Sequence, residues 1–305
     1  MRLSEQAVYG LMVCTALFWS GAFITGKMAV QQFPAFALTF FRFLFALPFI
    51  FAILYVKQRQ AWLPSRRQWR PLLVLGTVGT FLYHGLFFSS LHYTTAINSS
   101  LIGATNPMVT ALLAAAFFHD RLGWRRTAGI FLSFGGVFLT ITHGDWQVAA
   151  TLQFNTGDIF MFAAVWSWAV YSVLSRGYMK QYEITPLMVT AYTFLVCTLV
   201  SVPFVLWERP AAYLPFTTWG GWLAILYMAV FASVLGYLFQ LIAIQKIGAP
   251  KTAIFINLVP VFTMLQAQLI LGETVTWLQL VSAGVIIGGV YLTTSTVPII
   301  KQSST

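Results

Sequence analysis

Residues 87–141 read FFSSLHYTTAINSSLIGATNPMVTALLAAAFFHDRLGWRRTAGIFLSFGGVFLTI, and the chain carries this stretch twice. Moved forward by 153 positions it lies without a gap on residues 240–294, QLIAIQKIGAPKTAIFINLVPVFTMLQAQLILGETVTWLQLVSAGVIIGGVYLTT. Eleven of the 55 positions are identical, among them Ala96/Ala249, Pro107/Pro260, Thr110/Thr263, Leu112/Leu265, Trp124/Trp277, Gly135-Gly136/Gly288-Gly289 and Thr140/Thr293. Asp120 falls on Glu273, so the acid closing the first part of the unit is kept in kind. A proline inside an apolar run, a tryptophan and a glycine pair sharing one register are not what chance similarity between greasy segments gives. A long internal repeat fixes architecture ahead of any other signal. Here it divides the chain into two halves.

Composition supplies the solvent. The 305 residues are 59% hydrophobic and only 8% charged, against about 25% charged in a soluble domain. So much apolar side chain has no interior to occupy in a water-soluble globule of this size, and the chain is expected in a bilayer. The formal net charge of +10 is read as topological bias rather than as a nucleic-acid surface, because basic residues of membrane proteins gather in cytoplasmic loops. Cys14 and Cys197 fall inside apolar runs and read as packing residues, without disulfide or metal spacing. The first apolar run, Ala7 to Thr25, has no small-x-small cleavage pattern after it and is expected to be a membrane helix rather than a removable signal.

A membrane-spanning helix takes about 20 apolar residues. Ten runs qualify, near 7–28, 35–56, 71–91, 95–118, 124–142, 157–176, 186–207, 219–241, 250–271 and 276–296. With the amino terminus inside, 14 of the 17 Lys and Arg residues fall on cytoplasmic segments, which places both termini there. Five spans per half is an odd number, so the second half must enter from the opposite face. The expected fold is all-α integral membrane, ten transmembrane helices as two inverted five-helix repeats. The expected units are 1–142, a connection at 143–156, the second repeat at 157–296 and a tail at 297–305. The repeated loop agrees: Asp120-Arg121-Leu122-Gly123-Trp124-Arg125-Arg126 becomes Glu273-Thr274-Val275-Thr276-Trp277-Leu278-Gln279, with the pattern kept and every arginine gone. Gly135-Gly136 and Gly284/Gly288-Gly289 read as packing seams, where small residues let helices approach in lipid.

Function in such a chain is sought among polar groups at mid-depth. The seven acids, Glu5, Asp120, Asp145, Asp158, Glu183, Glu208 and Glu273, all sit at or near the ends of runs. That argues against a carboxylate relay and against hydrolysis by paired acids. No HExxH, Ser-His-Asp set or phosphate-binding glycine loop is present, so neither enzymatic chemistry nor a cofactor or metal is expected. What remains is neutral and aromatic. His84, beside Tyr83, lies mid-run and meets Tyr237 under the 153 shift, while Thr80 meets Ser233, Phe87 meets Gln240 and Ala104 meets Asn257. A buried helical histidine is commonly satisfied by a neighbouring carbonyl, so a packing role competes with a ligand role. Trp19-Ser20 of the first run echoes Trp166-Ser167 of the sixth, with core packing and an aromatic substrate wall both open. Pro107 and Pro260 each remove a helical hydrogen bond and are placed as either hinges or static kinks. Arg42, in the outer third of the second run, is expected to snorkel to headgroups or to hold a ligand.

The stretch TTAINSSLIGATNPMVTALLAAAFFHDRLGWRRTAGIFLSFGGVFL and its second copy, with Phe41-Arg42 and Trp19-Ser20, resemble the tandem units of EamA-type transporters of the drug/metabolite transporter superfamily. The resemblance covers nearly the whole chain. It implies ten helices, cytoplasmic termini and a central cavity lined by the first, third, fourth, sixth, eighth and ninth, on which His84, Tyr83, Trp19, Trp166, Tyr237, Gln240 and Asn257 fall. It also implies a multi-pass carrier of the cell inner membrane that moves amino acids or related metabolites outward. The expected partners are a small-molecule substrate and the lipid bilayer, not nucleic acid, with the protein a monomer or weak homodimer. The expected substrate is an amphipathic molecule such as a neutral or aromatic amino acid. The alternative is a multidrug, nucleoside or other metabolite efflux carrier of the same architecture, for which a cationic-drug pump would want a cavity acid.

Overall fold

A computed structural model describes residues 4–118, 123–151, 153–247, 252 and 255–294. Asp120, Arg121 and Ala249, which enter the repeat alignment, lie outside these residues. Among the described residues the regular structure is helical. Seven helices among the described residues are long and apolar enough to cross a membrane: α1 (Glu5–Ala29), α2 (Ala35–Lys57), α3 (Arg66–Tyr93), α4 (Ala96–Phe117), α6 (Thr156–Gln181), α7 (Pro186–Trp207) and α8 (Trp219–Ile247). Between α4 and α6 runs α5 (Trp124–Thr142), whose first turn carries Arg125 and Arg126. Two shorter apolar helices follow, α9 (Leu258–Leu271) and α10 (Trp277–Thr294).

Side chains such as Phe131, Leu199, Leu223 and Leu269 point outward and are largely exposed. An apolar exterior of this kind suits lipid as solvent, where every backbone group must be satisfied within the protein. Buried hydroxyls follow the same rule by bonding one turn back along their own helix. Thr15 donates to the Leu11 carbonyl, Thr39 to Ala35, Thr198 to Phe194 and Thr263 to Val259, all within 2.8–2.9 Å. The acids at helix ends do the work of caps. Pro34 precedes α2 and has no side-chain acceptor; the Glu208 carboxylate reaches over to accept from Phe36 and Ala37 N–H at 3.0 and 2.8 Å. Glu273 does the same for Ala96 and Ile97 at the start of α4.

The helices pair in a pattern. α5 packs on α10 and α2 on α7; α3 packs on α6 as α1 does on α8, and α4 packs on α6 as α9 does on α1. The α5/α10 seam runs antiparallel. A Cβ on Gly129 would stand 2.6 Å from the Gly289 carbonyl, Ser133 Oγ lies 3.4 Å from the Ile286 carbonyl, and a Cβ on Gly136 would be 3.2 Å from the Ser282 carbonyl. Close approach uses only one glycine of each pair: Gly136 and Gly289 are the tight ones, while a Cβ on Gly135 would meet nothing within 4 Å and one on Gly288 only Leu132 at 3.9 Å; Gly284 also has no neighbour within 4 Å. The seam lies within one chain.

Among the described residues four helices depart from the α-helical ladder, α3, α4, α8 and α9 (π-helical over Ala267–Leu271), and α3 and α8 do so in step. Gly76–Leu82 in α3 and Met228–Leu235 in α8 are π-helical, and residues 76 and 82 moved by 153 become 229 and 235. Rare π-turns displace carbonyls from their usual donors and mark functional stretches. α4 is interrupted between Gly103 and Asn106, and α9 begins only at Leu258, after Asn257.

Candidate functional site

A cavity of about 350 Å³ lies in the middle of this bundle, within the range of small-molecule sites. Its wall comes from α1 (Trp19, Phe23), α2 (Arg42), α3 (Tyr83, His84, Phe87), α4 (Ser100, Gly103, Asn106, Pro107), α6 (Trp168, Ser172), α8 (Tyr237, Gln240) and α9 with its approach (Ile256, Val259).

The aromatic part of the wall is a run of mostly edge-on contacts. Tyr237 meets Trp19 at 6.0 Å and Trp168 at 6.2 Å between centroids. Trp168 meets Tyr83 at 5.0 Å, Tyr83 meets the His84 ring at 4.7 Å, and Phe23 stands edge-on to Phe87 at 5.0 Å. Edge-to-face packing holds the rings at fixed angles while leaving apolar surface to the interior.

The π-stretches hold the polar groups of the wall. Trp19 Nε1 donates to the Ala232 carbonyl at 3.0 Å, and Gly236 has no side chain to obstruct it, since a Cβ there would stand 2.6 Å from that nitrogen. From the other half, Ser167 donates to the Val78 carbonyl at 2.6 Å. His84 Nδ1 lies 2.8 Å from the Thr80 carbonyl. A carbonyl only accepts, so Nδ1 carries the proton of that bond. Arg42 Nε donates to Ser233 Oγ at 2.9 Å. Thr80 and Ser233 are repeat-equivalent positions, and so are His84 and Tyr237. The carbonyl satisfaction read as competing with a ligand role is present at His84, yet the ring, 2% exposed, still lines the cavity.

The prolines act on this wall as well. Pro107 has no N–H for the Gly103 carbonyl one turn back, and Pro260 has none for that of Ile256. Gly103 and Ile256 are 153 residues apart, and both line the cavity. Asn106, beside Pro107, has a buried Oδ1 without a hydrogen-bond partner. Near the end of α1, Lys27 Nζ donates to the Leu91 and Thr94 carbonyls at 2.7 and 2.8 Å, while Thr94 Oγ1 donates to Asp158.

Of the residues singled out from the sequence, Trp19, Arg42, Tyr83, His84, Tyr237, Gln240 and the hinge candidate Pro107 stand together at the cavity. Trp166 and Asn257 do not: Trp166 packs against Phe162, and Asn257 sits at the start of α9 outside the lining. Pro260 is buried just behind Val259. Trp168 takes the place expected of Trp166, because residues two apart on a helix point about 200° apart. Arg42 does not snorkel to headgroups. It is 4% exposed and turned into the cavity, since the α8 π-stretch brings Ser233 to it. Trp168, Ser172, Asn106 and Ser233 were not legible as site residues. Only the 153 shift of Thr80 onto Ser233 hinted at one of them.

The comparisons with known proteins agree with this architecture. The EamA-like transporter family profile matches residues 6–142 and again 155–295. The chain is 33% identical over 297 residues to the "uncharacterized transporter YyaM" of Bacillus subtilis, covering 97% of this chain and 96% of that one. It is 33% identical over 293 residues to an "uncharacterized transporter" of Archaeoglobus fulgidus, covering 93% and 96%. It is 25% identical over 276 residues to the "uncharacterized inner membrane transporter YhbE" of Escherichia coli K12, covering 88% and 83%. A solved crystal structure at 19% identity superimposes with a TM-score of 0.66 over 96% of this chain and 98% of that one, a likeness of fold. With both halves matched and relatives aligned end to end, the chain belongs to the EamA-like transporter family.

Proposed function

We propose that this protein is a secondary transporter of the inner membrane that exports small amphipathic metabolites, such as neutral or aromatic amino acids. It works by alternating access: two inverted five-helix repeats, 1–142 and 157–296, rock about a site at the middle of the bilayer. The observation that carries the reading is the central cavity itself, walled from both halves by aromatic rings and a few neutral polar groups, with one charged side chain among the described lining residues. The inverted-repeat reading is supported by the antiparallel α5/α10 seam, in which Ser133 meets the residue 153 positions on. The paired π-stretches and the two family matches support it too. Pro107 and Pro260, each withholding the N–H that a helical carbonyl one turn back would use, are the proposed hinges. Both termini are placed in the cytoplasm, following the Lys and Arg distribution.

The test is counterflow in proteoliposomes preloaded with unlabelled solute, using radiolabelled neutral amino acids, nucleosides and cationic dyes in parallel. Exchange of aromatic or branched neutral amino acids is the expected result. Exchange confined to nucleosides or dyes moves the protein to the alternative metabolite or multidrug class, and no exchange of any solute overturns the carrier reading.

A further inference from the structure

Arg42 presents a chemical demand that the protein does not meet. A guanidinium is charged at every accessible pH and carries five N–H donors. Here a single one of them, at Nε, has a protein acceptor, the Ser233 hydroxyl. The titratable groups around it are Tyr83, His84, Tyr237 and Cys197, none of them an acid. Among the described residues no carboxylate pairs with it. The ring of Phe43 lies 5.5 Å from its Cζ, which cushions one face without neutralising it. A buried charge left without a partner is costly, and the guanidinium lines a cavity from which a partner can come.

We infer that Arg42 is the anchor for a carboxylate, and that the cavity selects small singly charged carboxylates with an aromatic or branched apolar body. The inference rests on reading the cavity as the substrate site. The planar fork of N–H groups matches the two oxygens of a carboxylate in parallel hydrogen bonds. Arg42 is the sole charged residue among the described lining residues, so a phosphate monoester or dicarboxylate would leave its second charge unpaired. A cation would meet like charge and no acid. Trp19, Phe23, Trp168 and Tyr237 give the body its apolar surface. A second group is complementary to Arg42: the buried Asn106 Oδ1, which has no hydrogen-bond partner, is an acceptor at the cavity, and Pro107 and Pro260 supply no N–H to the carbonyls of Gly103 and Ile256. The Asn106 acceptor suits the ammonium of an α-amino acid, which would satisfy it as its carboxylate satisfies Arg42.

The experiment uses three probes sharing one ring: 3-phenylpropionate, phenylalanine and phenethylamine. Binding to the purified full-length protein is read as a shift of the thermal unfolding midpoint with probe concentration, and transport as counterflow in liposomes. The two carboxylates are expected to bind and exchange, and phenethylamine to do neither. Arg42→Gln is expected to weaken carboxylate binding roughly tenfold or more, as loss of one partner of a buried charged pair does. Ser233→Ala keeps the charge but frees the guanidinium, and a smaller loss of a few-fold is expected; it carries the test if Arg42→Gln fails to fold. Phenethylamine bound as well as the carboxylates overturns the assignment, as does carboxylate affinity unchanged in Arg42→Gln. If nucleosides exchange and none of the three probes does, the carboxylate assignment falls while the carrier reading stands. If nothing exchanges, both fall.

Discussion

His84 sits where a side chain can both hold the fold and meet a solute. Its Nδ1 is engaged by Thr80, its ring is held edge-on by Phe43 and Tyr83, and it still faces the cavity. Among the described lining residues there is no carboxylate, so the proposal is that proton coupling is either absent or depends on this ring. The expectation is that His84→Ala flattens the dependence of counterflow on an imposed pH gradient. A pH dependence equal to that of the unaltered protein removes His84 from the coupling. Single residues were also where the sequence was least informative. The echo of Trp19-Ser20 in Trp166-Ser167 identified the right turn of α6 but not the right face, since facing is set by what packs on either side. It is Ser167, donating to Val78, that mirrors Trp19 donating to Ala232, and the cavity tryptophan is one position further on. Arg42 looked shallow by counting from Ala35. Only a partner 191 residues away shows that its head turns inward.

The α5/α10 seam is joined by close backbone approach, as expected where lipid offers no hydrophobic drive for helices to associate. At Gly289 a Cβ would stand 2.4 Å from Ser133 Oγ and 2.6 Å from the Gly129 carbonyl, so α5 and α10 would have to separate. Gly289→Val is therefore expected to destabilise the protein by about 1–3 kcal/mol, the usual cost of overpacking. Gly284→Val, with no neighbour within 4 Å, is expected to stay within about 0.5 kcal/mol of the unaltered protein. Thermal unfolding in one detergent measures both, and equal losses would deny the seam. The repeat told which helices hold such glycines, but not that only Gly136 and Gly289 of the two pairs are in close approach at the seam. The acids near helix ends were legible as absent from the cavity. Their role as caps for other helices, Glu208 on α2 and Glu273 on α4, depends on contacts more than 170 residues apart in sequence.

At the scale of the molecule, the sequence carried a good deal. Periodic apolar runs located the helices, and the offset of 153 tied Pro107 to Pro260 and His84 to Tyr237 before any coordinates. The π-turns in α3 and α8 were not legible, because their residues, GTVGTFL and MAVFASVL, are ordinary helix material whose register is decided by packing. Gly79, held against Tyr171 with no room for a Cβ, shows such a constraint. The central claim is that one bundle was duplicated and inserted once each way up around a shared cavity. Its most direct test is sidedness at the repeated turn. In a background with Cys14 and Cys197 replaced by alanine, Gly123→Cys and Thr276→Cys are placed at exposed positions just before Trp124 and Trp277. Each is then exposed to a membrane-impermeant thiol reagent in right-side-out and in inverted vesicles. The account predicts that the two cysteines are labelled from opposite faces of the membrane; labelling of both from the same face would contradict it.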